Sequence, residues 1–478
     1  MTANFYECIH KTLLNHVDDE MIIWPDQSAN GQAYTGQAVL DRISAIQLYL
    51  SQRQVQLGQP VLLAIPVTFD LICTLLAIMA MGAVPVLPPA APSRRTYLFL
   101  AAQGNLQAVV TQQELTSPLT WLAKRIGIKP IALKGMTPSA SAERLPPQPV
   151  DPNQPALISH SSGSTGKPKT IRRSHSVLLA QHQALDLAFP AWPGQRDFPL
   201  FPNILLHNLA TGTVSILPDL PGFNVTQVQP NRIIQQLVDQ RIQTLTGNVY
   251  YFQKLLRHLQ MHPQLLAEVR AVGIGGSPVS EALVHSLKTF FVRADLYVIY
   301  GSSEVEPIAV RRVDAEPQTP RAGYAVGTVR PSLRVRLRPL GTLTLPDGWS
   351  PEVGEIEVAG AHVAVRNNDW FSTGDFGYFD QTGQLVLTGR RGNERLHRGV
   401  QHYQIEHVLS SVKGVVRVAA RALERGFAVY VEGDAPEAEL WRVLTVNFPE
   451  GIVTHIYFRK NLPVDARHQS KIRYEHLT

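Results

Sequence analysis

The chain has 478 residues, a length that fits two to four domains or subdomains. Hydrophobic residues make up 44%, which excludes a mostly disordered or fibrous protein, and charged residues only 17%, which leaves much of the surface to neutral polar residues, proline and glycine. The formal charge of +6 suits an anionic small ligand; with no basic tail or dense Lys/Arg block it gives no support to nucleic-acid binding. Residues 1–60 read as helices around a Gly-containing turn, the spacing of VLDRISAIQLYLSQ (39–52) fitting one apolar helical face. The opening MTANFYECIHK lacks the basic start and apolar run of a secretory leader, so a cytoplasmic location is expected. Cys8 and Cys73 cannot build a metal site by themselves.

VLLAIPV (61–67) reads as a buried strand, FDLICTLLAIMAMG (69–82) as a packed helix and AVPVL (83–87) as the next strand. Such βαβ units mark a parallel sheet covered on both faces. The uncharged run from Leu71 to Ser93 approaches the length of a membrane span, but Pro85, Pro88, Pro89 and Pro92 break its second half, so no span is expected. AVVT (108–111) continues the alternation, and six prolines in 138–155 mark an exposed connector. PALISH (155–160) is a strand running into a Gly/Ser/Thr loop; AVGIGG (271–276) and LYVIY (296–300) likewise end at small-residue turns, where ligands of open α/β sheets gather. From about residue 321 the texture changes to short alternating strands. In LRVRLRPL (333–340), Arg334, Arg336 and Arg338 share one face, the expected outer face of a half-buried strand.

The strongest local signal is Ser161-Ser162-Gly163-Ser164-Thr165-Gly166-Lys167-Pro168-Lys169. Glycines let backbone N–H groups turn toward an anion, the hydroxyls add donors, and the lysines neutralise phosphate charge. It is not a Walker A loop, because Ser161 stands where the first glycine belongs and Pro168 where the Ser/Thr belongs.

With its surroundings this loop resembles the phosphate loop of the adenylate-forming superfamily, which comprises acyl-CoA synthetases, peptide-synthetase adenylation domains and luciferases. Four further segments are similar in order and spacing: GIGGSPV (273–279), YGSSEVEP (300–307), STGDFGYFDQTGQLVLTGR (372–390) and LPVDARHQSKIR (462–473). The resemblance implies an α/β N-terminal AMP-binding domain over 1–390, with parallel-rich sheets and a β-rich final part, and a small mobile α+β lid over 391–478. It implies ATP and Mg²⁺ as cofactors. Nucleotide contacts fall on Ser162, Gly163, Ser164, Thr165, Gly166, Lys169, Gly275, Gly276, Ser277, Tyr300, Gly301, Ser302, Ser303, Asp375 and Arg390. Lys471, Glu304 and Thr165 become the catalytic candidates, and Glu304 the magnesium ligand.

Residue chemistry agrees with these roles. An anionic carboxylate must approach an anionic α-phosphate, which demands positive charge, and Lys471 is an ammonium on a flexible stem. Glu304 offers a hard oxygen for a phosphate-bound Mg²⁺. Asp375 can accept hydrogen bonds from ribose hydroxyls. His207, inside the apolar FPNILLHNLATGTVSILP (201–218), and Val305 are the candidates for a pocket taking an aliphatic acid.

The expected reaction is ATP-dependent adenylation of a fatty or other aliphatic acid to acyl-AMP and pyrophosphate, then transfer to a thiol, either CoA or a phosphopantetheine carrier protein. Two departures pull elsewhere. Gly392-Asn393 replaces the usual hinge aspartate or lysine, and Leu396 stands where thioester-forming members commonly carry lysine. The Pro463-to-Ile472 tail is similar to that of β-lactone synthetases of olefin biosynthesis, where the substrate's own 3-hydroxyl displaces AMP. That reaction is the alternative; a catalytically inactive ATP-binding protein is a third. The acid, the acceptor and the oligomeric state are not legible.

Overall fold

The computed structural model describes residues 4–26, 31–89, 92, 96–97, 99–100, 106–114, 121, 123, 125, 127–134, 136, 145–161, 169–313, 322–364, 369–465 and 469–477. The chain forms two compact units: Met1–Gln227 with Gln235–Ile242, and Val228–Ile234 with Gln243–Thr478.

In the first unit, the strand Pro60–Ala64 buries Val61, Leu62 and Leu63, as a parallel strand covered on both faces must. The helix Phe69–Ala80 starts at Thr68, whose Oγ1 accepts the Leu71 N–H at 3.4 Å. Every residue from Ile72 to Ala80 is buried, so this helix is internal on all sides. The sheet runs Lys129–Ala132, Ala108–Thr111, Pro60–Ala64, Val84–Leu87, Pro155–Ser161 and Lys169–Ser174, parallel except for the last strand. The uncharged segment is therefore interior α/β structure, and among the described residues no helix is long and apolar enough to cross a membrane.

The helical reading of residues 1–60 needs correction. Helices Tyr6–Asn15 and Gly36–Gln52 flank an antiparallel pair of strands, Glu20–Trp24 and Gln32–Thr35. Ile22 and Ile23 form a strand because they pair in parallel with Ser215 and Ile216, a partner almost two hundred residues on (~200) that local periodicity cannot reveal.

The second unit begins with three parallel strands, Thr244–Asn248, Ala271–Gly275 and Asp295–Ser302. Antiparallel strands then extend the sheet in the order Val305–Arg312, Tyr324–Val329, Leu385–Arg390, Phe371–Phe379, Glu352–Gly360 and Leu333–Thr342. On the last of these, Arg334, Arg336 and Arg338 face solvent, and Arg336 and Arg338 pair with Glu357 and Glu355 across the strands. A small sheet of Val415–Ala422, Phe427–Gly433 and Val453–Phe458 packs with helices His402–Leu409 and Glu437–Asn447 around Ile405, Leu409, Phe427, Val429, Leu440 and Leu444.

The first unit's core yields a stability test. Leu76 is fully buried in the internal helix. Leu76→Ala should lower unfolding free energy by about 2–5 kcal/mol in urea denaturation, the range for a truncated buried leucine; a loss below about 1 kcal/mol would mean the helix is not packed on all sides.

Candidate active site

The parallel strands of the second unit deliver their carboxyl ends to one cleft. The strand Ala271–Gly275 stops at two glycines for different reasons: a Cβ on Gly275 would lie 2.7 Å from the Ile299 carbonyl oxygen, and Gly276 takes a φ of +82°. Gly276, Ser277, Tyr300 and Gly301 line the cleft, with Val249, Val326 and Leu387 among its apolar walls.

Asp375 reaches the same cleft from the antiparallel part of the sheet. Register places it directly opposite Arg390, and the Arg390 guanidinium donates to Asp375 Oδ1 at 2.5 Å. The Tyr300 hydroxyl donates to Oδ2 at 2.9 Å. Asp375 is only 8% exposed. The nearby Asp375 charge raises the Arg390 pKa, so the guanidinium stays charged. Burial, and next the Asp375 charge, push the Tyr300 phenol well above its ordinary value and keep it a donor. Each carboxylate oxygen retains a second acceptor direction, so the pair presents a fixed anionic acceptor beside a fixed cation.

Lys471 lines the cleft from the C-terminal tail. Its backbone is closed into a loop by Asp465: the Lys471 N–H donates to Asp465 Oδ1 at 3.1 Å, and the Asp465 N–H to the Lys471 carbonyl at 2.9 Å. Two buried hydroxyls in the cleft wall, Ser277 Oγ and Ser470 Oγ, have no hydrogen-bond partner among the described residues. Buried hydroxyls are rarely left without a partner, which marks these two among the described residues of the cleft wall.

The structure thus brings together Gly276, Ser277, Tyr300, Gly301, Asp375, Arg390 and Lys471. The other sequence-derived candidates are distributed differently. Glu304 sits in the turn following Asp295–Ser302, its carbonyl accepting the Ala364 N–H at 2.7 Å, beside Ser303 and the buried Ser302 hydroxyl, which has no hydrogen-bond partner among the described residues. Val305 is wholly buried and does not line the cleft. Ser162, Gly163, Ser164, Thr165 and Gly166 lie outside the described residues; the antiparallel strands Pro155–Ser161 and Lys169–Ser174 lead into and out of that loop, and Lys169 is exposed. Sequence reading missed Ser470, Tyr403, Glu406 and Tyr474, which also line the cleft. Only the nearness of Ser470 and Tyr474 to Lys471 could have flagged them.

His207 lies in the first unit on the helix Pro202–Thr211. Its Nδ1 is 2.9 Å from His182 Nδ1, so one ring donates and the other accepts. Burial, with a smaller push from His182, lowers the His207 pKa to about 3, and burial also lowers that of His182.

Residues 10–365 match the family described as AMP-binding enzyme. The chain is 29% identical over 376 residues to an olefin beta-lactone synthetase of Stenotrophomonas maltophilia, a match covering 69% of this chain and 67% of that protein. It is 30% identical over 270 residues to an olefin beta-lactone synthetase of Xanthomonas campestris pv. campestris, spanning 49% of this chain and about half, 48%, of that protein. Among solved structures, O-succinylbenzoate Coenzyme A synthetase from Bacillus subtilis, in complex with ATP and magnesium ion, superposes with a TM-score of 0.78 at 17% identity, covering 98% of this chain and 99% of that one. That likeness is one of fold.

The histidine pair gives a pH signature. An unfolded imidazole takes a proton below about 6.5, whereas folded His207 takes one only near 3. Between those values the unfolded chain binds more protons, so stability falls as pH falls. Urea denaturation at pH 7 and 4.5 should show a loss to which His207 contributes up to about 2–3 kcal/mol, and His207→Asn should flatten the slope; an unchanged slope would mean that His207 is solvated.

Proposed function

The chain belongs to the AMP-binding enzyme family and is an acyl-AMP-forming ligase, and from that premise we propose that it activates an aliphatic 3-hydroxy acid with ATP and closes it to a β-lactone. The substrate carboxylate oxygen attacks the α-phosphorus, the bond to the bridging oxygen breaks, and pyrophosphate leaves. The 3-hydroxyl oxygen of the acyl adenylate then attacks the acyl carbon, its proton passes to solvent or a base, and the bond to the AMP oxygen breaks.

The observation that carries the adenylation half is the convergence of Asp375, Arg390, Tyr300 and Lys471 on one cleft. In this reading Asp375 accepts the ribose hydroxyls, Arg390 holds that carboxylate and adds positive charge, and Lys471 bridges carboxylate and phosphate oxygens as charge builds in the transition state. Gly275, Gly276 and Ser277 border the base, with Gly301, Ser302 and Ser303 at the neighbouring strand end. By the resemblance of their sequence to the family's phosphate loop, Ser162 to Gly166 and Lys169 are assigned to the phosphates, with Thr165 adding a hydroxyl. Glu304 fits a magnesium ion held mainly by phosphates. Among the described residues no group of three or more His, Cys, Asp or Glu side chains could hold a metal alone, and Mg²⁺ commonly uses one or two carboxylates plus phosphate oxygens.

The lactone half is supported by the two β-lactone synthetase relatives and by Leu396. Where a lysine would serve a thiol-transfer loop, Leu396 packs on the apolar cluster of Leu343, Leu345, Val353 and Tyr378.

Transfer to CoA or a carrier thiol is a second reading, favoured by a pivot at Gly392 that would turn residues 391–478 as a lid. The Arg391 N–H donates to the Gly374 carbonyl at 2.7 Å, on the large sheet. The Asn393 side chain instead binds the Ala420 carbonyl at 2.8 Å and the Ala422 N–H at 2.7 Å, on the small sheet. Gly392, at φ +90° with open space around it, is where the allegiance changes.

Pyrophosphate exchange with a 3-hydroxy fatty acid, followed by AMP release without CoA, should occur with the wild-type chain. Lys471→Ala should slow exchange by roughly 10²–10³-fold, the scale of one transition-state electrostatic partner. AMP release that requires CoA and ignores the 3-hydroxyl would replace the lactone with the thioester.

A further inference from the structure

A hydrogen-bonded chain connects the arginine end of the cleft with the lysine loop, and no step described above uses it. The Arg390 N–H donates to His402 Nε2 at 2.9 Å. That nitrogen is therefore the acceptor, the ring proton sits on Nδ1, and Nδ1 donates to Glu406 Oε1 at 3.0 Å. The same oxygen accepts the Ala420 N–H at 2.9 Å. The Tyr474 hydroxyl, three residues after Lys471, completes the chain at 2.8 and 3.0 Å from the two Glu406 oxygens.

Glu406 is 4% exposed. Among the described residues it is satisfied by an imidazole, a backbone amide and a phenol, with no arginine or lysine. A buried carboxylate is costly unless its acceptor sites are filled, so each donor is held in place by the others. Burial drives the Tyr474 pKa well above its ordinary value, so the hydroxyl remains a donor.

From this geometry we infer that Tyr474 is a positioning residue for the adenylation step: through Glu406 and His402 it fixes the loop of Lys471 relative to Arg390. Asp465 closes that loop on itself; among its attachments to the small sheet and the helix packed on it, Tyr474 reaches Glu406 on the carboxyl side, where the Leu477 carbonyl also accepts from Arg421, while Arg417 donates to the Gln469 carbonyl at 3.0 Å and the Leu462 N–H donates to Glu432 at 2.9 Å. The only hydrogen bond of the Arg390–His402–Glu406–Tyr474 chain that crosses Gly392 is the one from Arg390 to His402, so rotation at Gly392 would break that bond and leave the remainder of the chain intact.

The inference rests on the proposed role of Lys471, so the test is a double-mutant cycle in the full chain, read by pyrophosphate exchange. Tyr474→Phe keeps the ring and removes the donor. We expect kcat to fall about tenfold with the ATP KM changed less than about twofold, the loss of one hydrogen bond to a charged group. In the Lys471→Ala background the same change should have no further effect, because it acts through the lysine. Glu406→Gln, which keeps shape and removes the charge, serves as a second variant and should show the same dependence on Lys471. A wild-type kcat for Tyr474→Phe, or an equal loss in both backgrounds, would overturn the positioning role. A wild-type rate for Lys471→Ala alone would overturn the role of the lysine itself, and with it the reason for positioning it.

Discussion

The Asp375–Arg390 pair is the contact on which the candidate site depends. A carboxylate 8% exposed is tolerable only with partners, and the antiparallel register of Phe371–Phe379 with Leu385–Arg390 supplies a guanidinium directly across the ladder. Tyr300, arriving from a different strand, takes the second oxygen. Three strand positions therefore converge on one anion, and moving any of them leaves a buried charge unpaired. Removing one partner of such a pair costs far more than the pair itself contributes to stability. The arrangement is fixed for that reason, as the proposed role of orienting a nucleotide requires.

Past this pair the chain passes to a second, smaller sheet. Hydrogen bonding changes sides at Gly392: Arg391 belongs to the large sheet and Asn393 to the small one. Lys471 sits beyond that change, on a tail that returns to the cleft holding Arg390.

Much of this was legible in the sequence, and the limits were physical. The strands Pro60–Ala64 and Ala271–Gly275 announce themselves as apolar runs, because burial on both faces leaves no room for alternation. Asp375 and Arg390 were legible through their motif, although neither residue alone differs from an ordinary turn acid or surface arginine. The strand Glu20–Trp24 was not, since its partner lies at Val214–Ile216 and local pattern carries no such information. Glu406 and Tyr474 were silent for the same reason. A glutamate and a tyrosine 68 positions apart look like solvated residues until the fold brings the phenol to the carboxylate.

The central claim is that Asp375, held by Arg390 and Tyr300, is the group that fixes the nucleotide of an acyl adenylate. Isothermal titration of a non-hydrolysable acyl-sulfamoyl adenosine into the full chain tests this most directly. The account predicts saturable one-to-one binding by the wild type, and binding at least roughly tenfold weaker by Asp375→Asn, from the loss of charged hydrogen bonds to the ribose. Equal affinity in the two proteins would contradict it.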